Sequence, residues 1–135
     1  MKARVRLPQS CAALFFIDGD KAAVIEKALA SAGIAVIIPP RENYGGKIGS
    51  LLKLPGYGET AVPAPADIIS EELIIFSNVD RKALDRGLDA LRSSGASVRF
   101  KAVITEYNKD FTLPELMSHM ADEEKALNAR REEQQ

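Results

Sequence analysis

Apolar residues along the chain gather in four short runs, and the segments between the runs repeat apolar residues at helical spacing. The runs predict β-strands over residues 12–17, 34–38, 73–76 and 98–104. The first and third runs hold no polar residue, which is typical of strands covered on both faces. Strands that alternate with helices indicate an α/β fold with mostly parallel pairing. We therefore place the first and third strands side by side in a four-stranded sheet, in the order 2-1-3-4.

Capping residues mark where the predicted helices begin and end. The Asp-Gly-Asp turn at residues 18–20 leads into a first helix that ends before Gly33, a residue that adopts the left-handed conformation at little cost. Residues 77–80 offer caps for a helix after the third strand. Thr112 is predicted to cap the last helix, because Glu115 follows at the spacing of a capping box.

The order strand, helix, strand, loop and helix occurs twice, which indicates an internal duplication. The two β-α-β-α halves occupy residues 12–52 and 73–121 of a single domain over residues 1–121. A segment rich in proline and glycine over residues 53–72 links them, and a charged extension follows over residues 122–135. Because we expect the two first strands to run in the same direction, an antiparallel central pair would contradict the duplication.

The composition fits a folded, soluble protein. Of its 135 residues, 46% are hydrophobic and 27% are charged, which suits one domain with its own core. The net charge of −1 provides no basic surplus for nonspecific nucleic-acid binding. Cys11 is the only cysteine, which excludes an intrachain disulfide and favours a reducing compartment. No apolar stretch approaches the roughly 20 residues of a membrane span, so we expect no membrane association and a cytoplasmic location.

A set of residues, most of them in the second half, resembles a known family. They are Lys101, Ala102, Val103, Ile104, Thr105, Asn108, Thr112, Leu113 and Leu116, with Tyr44, Gly45, Gly49 and Leu51 in the first half. The pattern resembles a family of small uncharacterised bacterial proteins, catalogued as a domain of unknown function (DUF3783). The resemblance implies a shared fold from Leu14 to Leu127 and implies no activity. Members often carry a proline where this chain has Glu106, so it does not imply the conformation of that loop.

Polar loop residues that follow the predicted strands form the candidate binding site. In parallel sheets, ligands bind beyond the carboxyl ends of the strands, where the connections diverge. With the order 2-1-3-4, this place lies between the first and third strands. The side chains expected to converge there on one small ligand are Tyr44, Lys47, Asn78, Thr105 and Asn108. The alternative is that these residues only shape turns and caps.

Asp18 and Asp20 support a competing, enzymatic hypothesis. Two carboxylates that are two residues apart after a buried strand can hold Mg²⁺. The tract from Phe15 to Asp20 is similar to the first motif of haloacid-dehalogenase phosphatases and to the opening strand of NYN-type nucleases. In a phosphatase, that resemblance implies Asp18 as nucleophile and Asp20 as acid/base. The chain offers no convincing set of the further residues that such enzymes need, and a turn with a helix N-cap also explains both aspartates.

Two other signals are weaker. The glycine-rich tract over residues 45–50 lacks the four-residue gap of a Walker A loop, although amides at a helix start could hold an anion beside Lys47. His119, the only histidine, is expected to be a solvated residue on the last helix. We therefore expect a small cytosolic α/β module that binds an unidentified small ligand or protein partner, without catalysis or cofactor. The alternative is a Mg²⁺-dependent phosphatase or nuclease.

Overall fold

The computed structural model describes residues 10–58 and 61–133. The strands are β1 (Cys11–Phe15), β2 (Ala35–Ile37), β3 (Leu73–Ser77) and β4 (Phe100–Val103). The helices are α1 (Gly19–Ala30), α2 (Ile48–Leu51), α3 (Arg81–Ser94) and α4 (Leu113–Glu133), with a 3₁₀ turn at Arg41–Asn43. The described residues form two compact units, a first unit of residues 10–38 and 72–104 and a second unit of residues 39–71 and 105–133. The first unit holds the sheet with α1 and α3, and the second holds α2 and α4.

The four strands form one open sheet in the order β2-β1-β3-β4. β1 pairs with β2 and β3 pairs with β4 in parallel, so the predicted α/β class, strand order and mostly parallel pairing are confirmed. β1 and β3 are antiparallel, with Cys11 opposite Ser77, so the predicted parallel direction of the central pair is wrong. The segment between β2 and β3 has 35 residues, which is long enough for the chain to enter β3 from either end. The connection therefore leaves the direction of β3 open.

Both faces of the central strands are buried, as their unbroken apolar sequences predicted. One face packs against α1 and α3, which contribute Ile25, Leu29 and Leu91 to the shared core. The strand residues on this face are Ala12, Leu14, Ile74 and Phe76. The residues that alternate with them have no exposed surface, namely Ala13, Phe15, Leu73 and Ile75. The first unit is therefore organised around β1 and β3.

Three local features recur in the two strand-helix-strand halves of the first unit. Phe16 and Asn78 each follow a strand and have a positive φ (57° and 56°). Asp18 and Asp80 each cap the next helix through a carboxylate. Gly33 and Gly95 each follow a helix in the left-handed conformation (77° and 79°), and the members of every pair are 62 residues apart. Repetition of three unrelated backbone requirements at one spacing supports the duplication.

The antiparallel central pair changes the symmetry of the repeat. Two strand-helix-strand units related by a two-fold axis perpendicular to the sheet necessarily place their first strands antiparallel. By the criterion set from the sequence, this antiparallel pair contradicts the duplication; that criterion considered only halves related by translation. The repeated features and the pairing of Phe15 with Leu73 fit a two-fold relation between the halves.

In the second unit, the segment before α2 lies against the segment before α4. Lys47 and Thr112 form an antiparallel β-bridge. Two backbone hydrogen bonds flank it, from Ile48 N–H to the Phe111 carbonyl (2.8 Å) and from Leu113 N–H to the Gly46 carbonyl (3.0 Å). The amide of Gly49 donates to the carbonyl of Lys109 at 2.9 Å. The amides of Ile48 and Gly49 are thus bonded within the protein, which disfavours the interpretation that the start of α2 holds an anion.

The glycines of that tract allow the following loop to pack closely. Gly45 donates its amide to the Val62 carbonyl at 2.8 Å, and a Cβ on Gly45 would overlap the Pro63 carbonyl oxygen. A Cβ on Gly49 would lie 2.6 Å from the ring of Tyr57. A side chain at either position would force neighbouring atoms to move, so close packing explains both glycines.

The longest helix, α4, begins with apolar residues and continues with charged ones. Leu113, Leu116 and Met117 are buried, whereas most residues after Met120 are exposed. Among the described residues, no helix combines the length and the apolar character that crossing a membrane requires.

Candidate functional site

An open cleft of about 370 Å³ lies in the second unit, between the segment before β3 and the first turns of α4. The loop contributes Pro65, Asp67, Ile68 and Ile69. Helix α4 contributes Pro114, Glu115, Ser118, His119 and Asp122. Positions 115, 118, 119 and 122 follow the three- and four-residue spacing that places side chains on one face of a helix. The cleft therefore has three carboxylates and a partly apolar wall.

The start of α4 is fixed by the predicted capping box, which is confirmed. The Glu115 amide donates to the Thr112 hydroxyl oxygen at 3.3 Å, and the Thr112 amide donates to Glu115 Oε1 at 3.2 Å. The Thr112 hydroxyl also donates to Oε1 at 3.0 Å. Both hydrogen bonds from Thr112 lower the pKa of the Glu115 carboxyl below its usual value, and the bond from the amide contributes more than the bond from the hydroxyl. Glu115 therefore presents a negative charge to the cleft at neutral pH.

His119 is held at the cleft by aromatic stacking. Its ring lies nearly parallel to that of Phe111, with centroids 5.0 Å apart and planes at 13°. Tyr107 packs edge-on against Phe111 at 5.2 Å. His119 is exposed, as predicted, and among the lining residues it is the one side chain that can carry a positive charge.

The arrangement of charges favours a cation as the occupant. Three of the nine lining residues, Asp67, Glu115 and Asp122, are acidic, and His119 is the one basic residue among them. Ile68, Ile69 and the two prolines offer apolar surface to the hydrocarbon part of the same occupant. The volume lies near the lower end of the range for small-molecule sites. A guanidinium or ammonium group on a short apolar stem fits this combination of charge, surface and size.

Of the five residues predicted to bind a ligand, Thr105 and Asn108 are brought together in one loop. Asn108 Oδ1 accepts from the Thr105 amide at 2.8 Å, and the Thr105 hydroxyl oxygen accepts from the Asn108 amide at 3.1 Å. The Tyr107 amide also donates to the Thr105 hydroxyl oxygen, at 3.2 Å. These bonds define a turn, so both side chains shape the loop that leads into α4.

The other three predicted residues have different surroundings. Tyr44 is only 3% exposed and belongs to the core of the second unit. Lys47 is exposed and forms the β-bridge with Thr112. Asn78 is exposed in the first unit, where its carbonyl accepts from the Ser10 hydroxyl at 2.7 Å.

The common edge on which these residues were expected to meet does not exist. Because β1 and β3 are antiparallel, their carboxyl ends lie at opposite edges of the sheet. Each outer strand is parallel to its central neighbour, so β2 and β4 also end at opposite edges. The premise that the loops after all four strands share one edge is wrong.

The two aspartates of the enzymatic hypothesis lie at the start of α1. Asp18 is the N-cap, and its Oδ1 accepts from the Lys21 amide at 2.9 Å. Asp20 is exposed in the first turn of the helix. Within residues 10–58 and 61–133, no three or more His, Cys, Asp and Glu side chains are grouped so that they could hold a metal ion.

Sequence reasoning missed most of the cleft. Asp67 lies in the segment that was interpreted as a linker, and Asp122 was assigned to the charged extension. The helical spacing of Glu115, Ser118 and Asp122 was visible in the sequence, but the loop that completes the cleft has no regular periodicity. Only a tertiary structure could place Asp67 near that helix face.

The second half of the chain matches a known family. Residues 72–127 match the model of a family described as a domain of unknown function, DUF3783. The resemblance found in the sequence is confirmed for this segment, which includes β3, α3, β4 and the first part of α4. No curated protein and no solved structure matches the chain significantly.

Proposed function

We propose that this protein is a non-catalytic binding module of the cytoplasm whose acidic cleft holds a cationic group. The cleft lined by Asp67, Glu115 and Asp122 is the observation that carries the proposal. The cytoplasmic location rests on the single cysteine, which fits a reducing compartment.

The occupant is expected to be an arginine or lysine side chain of a protein partner, or a small polyamine. Both sources present a cation on an apolar stem, which matches the carboxylates and the apolar wall of the cleft. Arginine differs from both lysine and a polyamine in geometry, because a guanidinium binds a carboxylate through two parallel hydrogen bonds and an ammonium does not. Comparison of the two cations therefore separates an arginine side chain from the ammonium groups of lysine and polyamines.

Binding is tested by calorimetry and thermal unfolding with N-acetyl-arginine amide and with spermidine, each at matched ionic strength. At a probe concentration of about ten times its dissociation constant, bound protein gains roughly 1.4 kcal/mol, which raises the melting temperature measurably. Asp67→Asn and Asp122→Asn are expected to reduce this gain, since each removes a charge from the cleft. Glu133→Gln is the matched control, because it removes an exposed carboxylate of α4 outside the cleft.

A steric variant separates specific binding from general attraction of cations. Ser118→Trp fills the cleft without changing its charge and is expected to abolish binding of both probes. No stabilisation by either probe, or equal stabilisation of the wild type and all four variants, would contradict the proposal.

A further inference from the structure

The last part of α4 carries an exposed apolar residue between oppositely charged ones. Leu127 is 51% exposed, and Glu123 and Arg131 stand four residues before and after it. Spacings of four residues place all three on the same face of the helix. Glu123 and Arg131 are both exposed. This face, defined by Glu123, Leu127 and Arg131, is termed the terminal stripe.

The charges of the terminal stripe are placed too far apart to pair within one helix. Glu123 and Arg131 are separated by eight residues, or about 12 Å along the helix axis. An isolated solvated helix gains most from acidic and basic residues four apart, but Ala126 and Leu127 follow Asp122 and Glu123 at that spacing. Neither Glu123 nor Arg131 therefore has a Lys, Arg, Asp or Glu of opposite charge three or four residues away in its own helix.

The same charges are complementary to a second copy of the stripe. In two antiparallel helices that meet at Leu127, a residue four positions before the centre faces the residue four positions after it. Glu123 of each copy then faces Arg131 of the other, and the two Leu127 side chains meet at the two-fold axis. A parallel arrangement would instead face like charges, so the sequence favours one orientation.

We propose that the terminal stripe is a self-association site, through which two copies of this chain form a weak antiparallel helix pair centred on Leu127. Of the residues of α4 that line the acidic cleft, Ser118 and Asp122 lie on another side of the helix, whereas Glu115 and His119 stand eight and four residues before Glu123 and continue the row of the stripe toward the cleft. The inference does not require an occupant in the cleft, so self-association and cation binding are tested by separate measurements.

The proposal predicts association that depends on concentration and salt. Sedimentation velocity on the full chain is expected to show a monomer–dimer equilibrium at roughly 10 µM to 1 mM, because so small an interface gives a weak complex. Added salt is expected to shift the equilibrium toward monomer, since it screens exposed ion pairs. Leu127→Asp is expected to remove the dimer.

Charge reversal gives the sharpest test. Glu123→Arg and Arg131→Glu each turn two attractions into repulsions and are expected to raise the dissociation constant roughly tenfold. The double variant restores both pairs and should associate like the wild type. An equimolar mixture of the two single variants should form a heterodimer, because every facing pair is then opposite in charge.

The matched control variants reverse one acidic and one basic residue on the opposite side of the helix. Glu132→Arg and Lys125→Glu lie five and two residues from Leu127, off the terminal stripe, and are expected to leave the dissociation constant unchanged. A monomer at all concentrations would overturn the proposal. So would a dimer that Leu127→Asp preserves, or single variants that fail to associate when mixed.

Discussion

At the scale of single residues, Asp18 shows how one side chain can suggest catalysis and serve structure. Its position after a buried strand, two residues before Asp20, is the pattern of a magnesium site. In the structure its carboxylate accepts from the Lys21 amide, and Asp80 accepts from the Ala83 amide with the same three-residue spacing. The repeated cap accounts for Asp18 without a metal.

The cap interpretation predicts matched effects at the two positions. Asp18→Ala and Asp80→Ala are each expected to lower the free energy of unfolding by about 1 kcal/mol, because each leaves an amide of the first helical turn without its partner. Asn at either position should preserve stability, since its side-chain oxygen also caps. Urea denaturation measures the differences, with Asp20→Asn as the control, since that side chain is not the cap.

The metal hypothesis predicts a different result for the Asn variants of Asp18 and Asp20, namely a change in how their stability responds to Mg²⁺. If Asp18 and Asp20 hold Mg²⁺, the wild type gains stability when Mg²⁺ is added, and Asp18→Asn and Asp20→Asn both lose that gain. A magnesium-dependent shift that both Asn variants abolish would contradict a purely structural role.

At the scale of elements, α4 joins two segments with different tasks. Its first turns are anchored by Leu113, Leu116 and Met117, which are buried. Beyond Met120 the helix carries mainly charged residues and one exposed leucine. The corresponding helix of the first half, α2, has only four residues, so the extension has no counterpart there.

Removal of residues 128–135 separates these tasks. The truncated chain is expected to melt within a few degrees of the full chain at low protein concentration, because the deleted residues are charged or polar apart from one alanine. It should also lose the self-association, since Arg131 is absent. A large fall in melting temperature for the monomer would show that this segment contributes to the packing of a single chain.

The elements themselves were largely predictable, and their arrangement was only partly so. Apolar runs located all four strands, and the spacing of Thr112 and Glu115 located the start of α4 within a residue. Local patterns cannot report the direction of β3, because both directions bury the same alternating residues. The cleft was also beyond reach, since Asp67 belongs to a loop whose path depends on tertiary contacts.

At the scale of the whole molecule, the two halves share one core in the first unit. Ile25 and Leu29 from the first half pack in the same cluster as Ile74 and Phe76 from the second half. β1 and β3 also pair along five residues each. Neither half therefore has a complete core of its own.

Separate fragments test this dependence. Fragments of residues 1–60 and 61–135 are each expected to lack a cooperative thermal transition, because each exposes half of the shared core to water. An equimolar mixture should regain one, as followed by circular dichroism. A monomeric fragment 61–135 that unfolds cooperatively by itself would show that the segment matching the family is an independent domain.

The antiparallel central pair also sets the electric field of the first unit. A helix that connects two parallel strands runs against them, so α1 and α3 point in opposite directions over the sheet. Each helix carries about half a positive charge at its start and half a negative charge at its end. In all-parallel α/β folds the helix starts share one edge and attract phosphates there. Here each edge has the start of one helix and the end of the other, and their partial charges offset each other. Neither edge therefore offers a nucleotide a focused positive potential.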